Sequence, residues 1–175
     1  MVTIMSILTI LVLRKIGGYD LLNREYLFSI VITLLVSSFS QINNPISIVL
    51  ISVLSYLIFV DLNYEELPNS SLLICLICVF LTNNINQEII IGATYYLVLF
   101  SAISIITGGT IGSGDIKLSF IVGLILTKQL FLTYITVVFV IGAAVGISLV
   151  LLKIKKREEM IPFGPFMILA MFLLI

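Results

Sequence analysis

The longest polar stretch in this chain of 175 residues covers positions 14–25, and the other loops that separate its apolar runs are no longer. Twelve residues cannot hold a soluble domain, so almost everything between the interruptions must bury itself against other helices or against lipid. Composition agrees, with 61% hydrophobic residues, 10% charged residues and a mean hydropathy of +1.29. A water-facing domain carries about 25% charged residues. The chain therefore reads as an all-α polytopic membrane protein in one domain, residues 1–175, since helices satisfy their own backbone polar groups in hydrocarbon. Nine basic residues balance nine acidic ones, and the only basic cluster, at 153–157, sits at a membrane edge. No nucleic-acid partner is expected from such a balance.

The apolar runs predict about eight helical segments, at 1–13, 26–39, 46–60, 72–81, 89–107, 116–127, 130–152 and 162–175, with no internal repeat. The first is shorter than the ~20 residues that cross a bilayer, so it reads as a tilted, thinned or clipped span. It has the length of a signal-peptide core, but it lacks a basic start and runs into Arg14 and Lys15 rather than small residues, so a helix is expected. The polar turn from Asp61 to Asn69 cannot remain in hydrocarbon. Ser70 or Ser71 is expected to cap the helix that follows it.

The chain contains no histidine. That removes Ser-His-Asp, Cys-His and His-ligated zinc chemistry and leaves carboxylates, lysine or thiols to act. Cys75 and Cys78 form a CxxC pattern inside an apolar run, with no further cysteine to complete four ligands. They read as small apolar helix residues rather than as a metal or redox pair.

Residues 108–118, GGTIGSGDIKL, interrupt what would otherwise be one long span. Gly108, Gly109, Gly112 and Gly114 each cost ~1 kcal/mol relative to Ala in a helix, so the helix must break there. Asp115 then heads a new apolar run, where the positive end of a helix dipole and free N–H groups stabilise negative charge. An ionisable group at a membrane helix end is a functional candidate. The plainer alternative is an N-cap aspartate in a re-entrant turn. Topology brings in the second acid. If loop 14–25 is cytoplasmic, alternation puts Arg14, Lys15, Arg24, Lys117, Lys153, Lys155, Lys156 and Arg157 inside and only Lys128 outside, as the positive-inside rule favours. The same topology brings Asp61 and Asp115 to one cytoplasmic membrane face. Two carboxylates held close share a proton, so one takes a proton from water while the other donates to a scissile carbonyl, without histidine or metal. The 54-residue separation permits this contact without requiring it.

These residues carry a family resemblance. The stretch from Asp61 to Asn69, an Asp followed seven residues later by Pro68 and then Asn, resembles the first-aspartate motif of type IV prepilin peptidases. Gly112-Ser-Gly-Asp115-Ile-Lys117-Leu resembles their GxGD motif, and Ile161-Pro-Phe-Gly-Pro-Phe166 is similar to a third signature. The resemblance covers roughly residues 20–175. Presenilin-type proteases share GxGD, but the proline motif of their final helix is absent here.

The resemblance implies an intramembrane aspartyl endopeptidase of the cell inner membrane that removes basic leader peptides from prepilins or pseudopilins at the cytoplasmic face, in pilus, competence or secretion systems. Asp61 and Asp115 would be the catalytic pair, with no metal and no cofactor. Gly112 and Gly114 would let backbone approach substrate, or simply shape the loop. Lys117 would favour an ionised carboxylate, meet an acidic substrate group, or anchor the membrane edge. Pro162, Gly164 and Pro165 read as helix-start and packing residues, and Glu65 and Glu66 as solvated loop acids or contacts to a basic leader. Larger relatives carry a cysteine-rich domain between their first two helices and also methylate the product with S-adenosylmethionine. Here loop 14–25 stands in that place without a cysteine, so peptidase activity is expected rather than methyl transfer. The rival class is an ion-coupled transporter or channel with a broken-helix acidic site, which usually lies near the midplane between internal repeats. A third option is a structural pilus-assembly subunit that tolerates loss of both aspartates.

Overall fold

The computed structural model describes residues 2–17, 19, 23–39, 44–82, 84–154 and 161–175. The described residues form eight α-helices and one 3-10 turn, with no strand. At the centre is α3 (Pro45–Tyr64), where all but one of the side chains from Leu50 to Asp61 are buried. Asn44 starts it by accepting a hydrogen bond from the Ile46 amide at 3.0 Å, and Pro45 fits the first turn because no intrahelical donor is needed there. Four helices surround it, namely α1 (Val2–Gly17), α2 (Asn23–Phe39), α4 (Asn69–Thr82) and α8 (Gly164–Leu174). A second layer joins α5 (Gln87–Ile106) and α6 (Ser113–Leu126), the most extensively packed pair. A Cβ on Gly123 would lie 2.7 Å from the Ala93 Cα, so that small residue permits the close approach of α6 to α5. The last member, α7 (Phe131–Leu151), packs on α8 and follows the 3-10 turn Lys128–Leu130.

Three of these segments are long and apolar enough to cross a membrane: Pro45–Tyr64, Gln87–Ile106 and Lys128–Leu151. The helix α7 buries only Tyr134 and Val138, yet it is apolar all round. A helix of that kind has no stable face to offer water and belongs against lipid. This is a membrane protein.

The helix boundaries depart from the sequence expectations in three places. The polar connection expected at 14–25 is largely helical: α1 continues to Gly17 and α2 begins at Asn23. Arg14 and Lys15 sit in the last turn of α1, where the helix dipole favours cations, and the Arg14 guanidinium lies 5.4 Å above the Tyr26 ring. The Ser70 or Ser71 cap does not form. Instead α4 starts at Asn69, the Ser71 and Leu72 amides bond to the Pro68 carbonyl, and the Ser71 hydroxyl is buried without a partner. Finally, α3 runs past Asp61 to Tyr64. Cys75 and Cys78 are buried free thiols in α4, as small apolar helix residues would be.

The aspartates' end of the bundle carries Tyr19, residues 65–68, 107–112 and the start of α8. Arg14, Lys15, Arg24, Lys117 and Lys153 lie at the helix ends on that side. Lys128 lies at the other end, 5.3 Å from the Tyr95 ring. Lys155, Lys156 and Arg157 fall outside the described residues.

Candidate active site

Asp61 occupies the last full turn of α3, where its carbonyl accepts the Glu65 amide at 2.9 Å. Glu65 closes the helix in the left-handed region, φ 55 and ψ 29. Asp115 arrives from the opposite direction. After α5 the chain reverses through Gly108 at φ +69 and Gly109 at φ +87, backbone conformations that side chains rarely tolerate. The Gly109 amide bonds the Ser104 carbonyl at 2.7 Å and the Ser104 hydroxyl donates to the Ile111 carbonyl at 2.9 Å, folding this strap against its own helix. The N-cap of α6 is then Gly112, with no side-chain cap bond, and Asp115 stands inside the first turn. The N-cap reading of Asp115 is therefore wrong. Its carboxylate turns inward.

The two acids meet at the start of α8. A Cβ on Gly164 would stand 2.6 Å from Asp61 Oδ2 and 3.3 Å from Asp115 Oδ1, so oxygens of both carboxylates lie within 3.3 Å of one point. Asp61 is 4% exposed and Asp115 9% exposed. Those same two oxygens, Asp61 Oδ2 and Asp115 Oδ1, are buried without a hydrogen-bond partner. Both acids are buried and adjacent, with no cation paired to them among the described residues, and two carboxylates so placed can share a proton.

Above the pair opens a cleft of about 490 Å³ walled by residues 65–69 and 112–115 with Lys117 and Tyr19. The Tyr19 hydroxyl donates to Glu66 Oε2 at 3.4 Å across the rim. Burial and then the Glu66 carboxylate push that hydroxyl above its ordinary value of 10.0, so it remains a donor at neutral pH. Glu65 and Glu66 line the cleft with exposed side chains.

The remaining site candidates divide. Gly112 faces the cleft, and a Cβ there would meet only Asp115 Oδ2 at 3.6 Å. At Gly114 a Cβ would be 2.8 Å from the Leu67 Cβ. That glycine also lines the cleft, and its bareness lets the GxGD turn pass against the α3–α4 connection. Among the described residues the Lys117 ammonium pairs with no carboxylate; it donates to Asn69 Oδ1 at 2.7 Å. Asn69 and Lys117 together divide the cleft from an apolar groove of about 440 Å³ between α4, α5 and α6, lined by Leu72, Leu76, Leu97 and Phe120 among others. The sequence did not single out Asn69 as the partner of Lys117 or Tyr19 at the rim, and Gly164 read there as a helix-start and packing residue. Only the position of Asn69 and Gly164 inside two of the three motifs hinted at more. Among the described residues no group of three or more histidine, cysteine or acidic side chains is arranged to hold a metal ion.

No curated protein and no solved structure matches the chain. One family model does, over residues 48–147, and its description is the type IV leader peptidase family. The matched span is more than half of the 175 residues and contains both aspartates, whereas α8 lies beyond it. On that match, the chain belongs to the type IV leader peptidase family.

Proposed function

We propose that this protein is an intramembrane aspartyl endopeptidase that cleaves leader peptides from prepilins or pseudopilins, with Asp61 and Asp115 as its catalytic pair. Membership of the family implies peptidase activity on prepilin-type substrates. The aspartyl mechanism rests on one observation: Asp61 Oδ2 and Asp115 Oδ1 share a point within 3.3 Å at the floor of a cleft.

Like charges this close hold one proton between them. The ionised carboxylate takes a proton from a water molecule as its oxygen attacks the scissile carbonyl carbon, and the protonated carboxyl gives its proton to the carbonyl oxygen. As the tetrahedral intermediate collapses, one of its hydroxyls returns a proton to the carboxylate that had protonated the carbonyl oxygen, the C–N bond breaks, and the departing nitrogen takes a proton from the carboxyl that had accepted one from water. Lys117 remains a substrate-binding candidate at the edge of the cleft, and Gly112 and Gly114 offer backbone to an extended peptide. Glu65 and Glu66 supply negative charge where a basic leader would pass. The apolar groove beyond Asn69 and Lys117 suits an apolar substrate segment that stays in the membrane.

The same reading makes the protein multi-pass in the cytoplasmic membrane, with the cleft on the cytoplasmic side, and requires neither metal nor cofactor. A transporter site would sit near the middle of the helices. Asp61 and Asp115 instead lie in a last and a first turn, which favours surface proteolysis. Incubation of the detergent-purified protein with a prepilin tests the proposal. The leader should be lost on a gel, and processing that survives Asp61→Asn or Asp115→Asn sinks the aspartyl assignment.

A further inference from the structure

We infer that Gly164 is a positioning residue for the aspartyl pair, setting the approach of Asp61 to Asp115 through its missing side chain. The inference rests on the proposed aspartyl reading, and Gly164 lies outside the span that matches the family.

The residue is the first of α8, an 11-residue helix whose start is fixed by Pro165 and by Phe166 and Met167 amides bonded to the Phe163 carbonyl. Gly164, Pro165, Phe166 and Met167 are all buried, so this end of α8 cannot shift without repacking. Two buried oxygens from different helices, neither with a partner, face its bare Cα. The arrangement leaves Asp115 Oδ2 on the side of Gly112, which lines the cleft. With Asp115 Oδ1 turned to α8, Asp115 Oδ2 is left to meet substrate or water.

A methyl group at Gly164 would fall 2.6 Å from Asp61 Oδ2, closer than any van der Waals contact permits, and would drive the pair apart. Gly142 serves as the comparison. It lies in the neighbouring α7, and a Cβ there would be no nearer than 3.6 Å to anything around it.

The test measures kcat and KM for cleavage of a purified type IV prepilin by Gly164→Ala and Gly142→Ala. Gly164→Ala should lower kcat on the order of 100-fold, the loss typical of a catalytic group misplaced by about 1 Å, with KM nearly unchanged. Gly142→Ala should keep the wild-type values. A wild-type kcat in Gly164→Ala, or a loss confined to KM, overturns the inference. If Gly164→Ala fails to accumulate, the double variant with Asp61→Ala gives the answer. Removing the carboxylate makes room for the methyl group, so accumulation should return to the level of Asp61→Ala alone. Failure to accumulate in both backgrounds would mean that the glycine serves other packing, which also overturns the inference. The two readings fail separately. Cleavage by Asp61→Asn and Asp115→Asn removes the aspartyl mechanism, whereas inactive aspartate variants beside a fully active Gly164→Ala remove only the role of Gly164.

Discussion

Lys117, two residues beyond one aspartate, donates a 2.7 Å hydrogen bond to Asn69, eight residues beyond the other. The bond ties the start of α6 to the start of α4 and so joins the two aspartate motifs outside the pair itself. It also forms the ridge between the polar cleft and the apolar groove. Two uses of Lys117 are therefore in competition, a strut between motifs and a contact for substrate.

Those uses separate in kinetics. If the bond is the whole contribution of Lys117, Asn69→Ala and Lys117→Ala should lower kcat/KM equally, and the double variant should be no worse than either. A hydrogen bond to a charged group is worth about 1.5–3 kcal/mol, and exposure takes this one toward the lower limit, which corresponds to a loss of roughly tenfold. If Lys117 also holds substrate, as proposed, Lys117→Ala should raise KM beyond the effect of Asn69→Ala. Equal KM values for the two single variants would leave Lys117 a strut.

Asp61→Asn and Asp115→Asn should each abolish leader cleavage while leaving the protein inserted in the membrane. Residues that act as a unit are not additive, so a drop of roughly 10³-fold or more is expected in either variant, with no further loss in the double. A gel assay on purified protein and prepilin reads the result directly. A double variant much slower than both singles would mean that the acids act independently.

Topology is open to labelling. In a background of Cys75→Ala and Cys78→Ala, a cysteine replacing Glu65 should be shielded from an impermeant thiol reagent in intact cells, and one replacing Asn84 should react. The expectation rests on the cations Arg14, Lys15, Arg24, Lys117 and Lys153 at the aspartates' end against Lys128 at the other. Labelling at position 65 from outside would reverse the orientation.

Cleavage should not be accompanied by methylation. A donor the size of S-adenosylmethionine needs a concave site with several placed polar groups, and only residues 18–22 separate α1 from α2. Protein, prepilin and donor are incubated together and the mature N-terminal peptide is weighed by mass spectrometry. A methyl group whose addition requires this protein would refute the prediction.

Much of the helical plan is legible in the chain alone. Apolar runs and the glycine, asparagine and proline punctuation between them are local signals, and each of the eight expected segments has a helix over it. Boundaries slip where a polar turn stays helical, as at Arg14 to Gly17 and at Asp61 to Tyr64, because hydropathy marks where lipid ends and not where backbone hydrogen bonding ends. Both aspartates are legible too, one from a glycine break and the other from a polar turn, since each motif is contiguous. Their meeting is not. That Asp61 faces Asp115, that Leu67 fills the space beside Gly114, that Asn69 holds Lys117 and that Gly164 backs both acids are relations between residues far apart along the chain. Interhelical distance and rotation decide them, and those follow from many weak side-chain contacts across α3, α4, α6 and α8 that leave no periodic or spaced trace in the sequence.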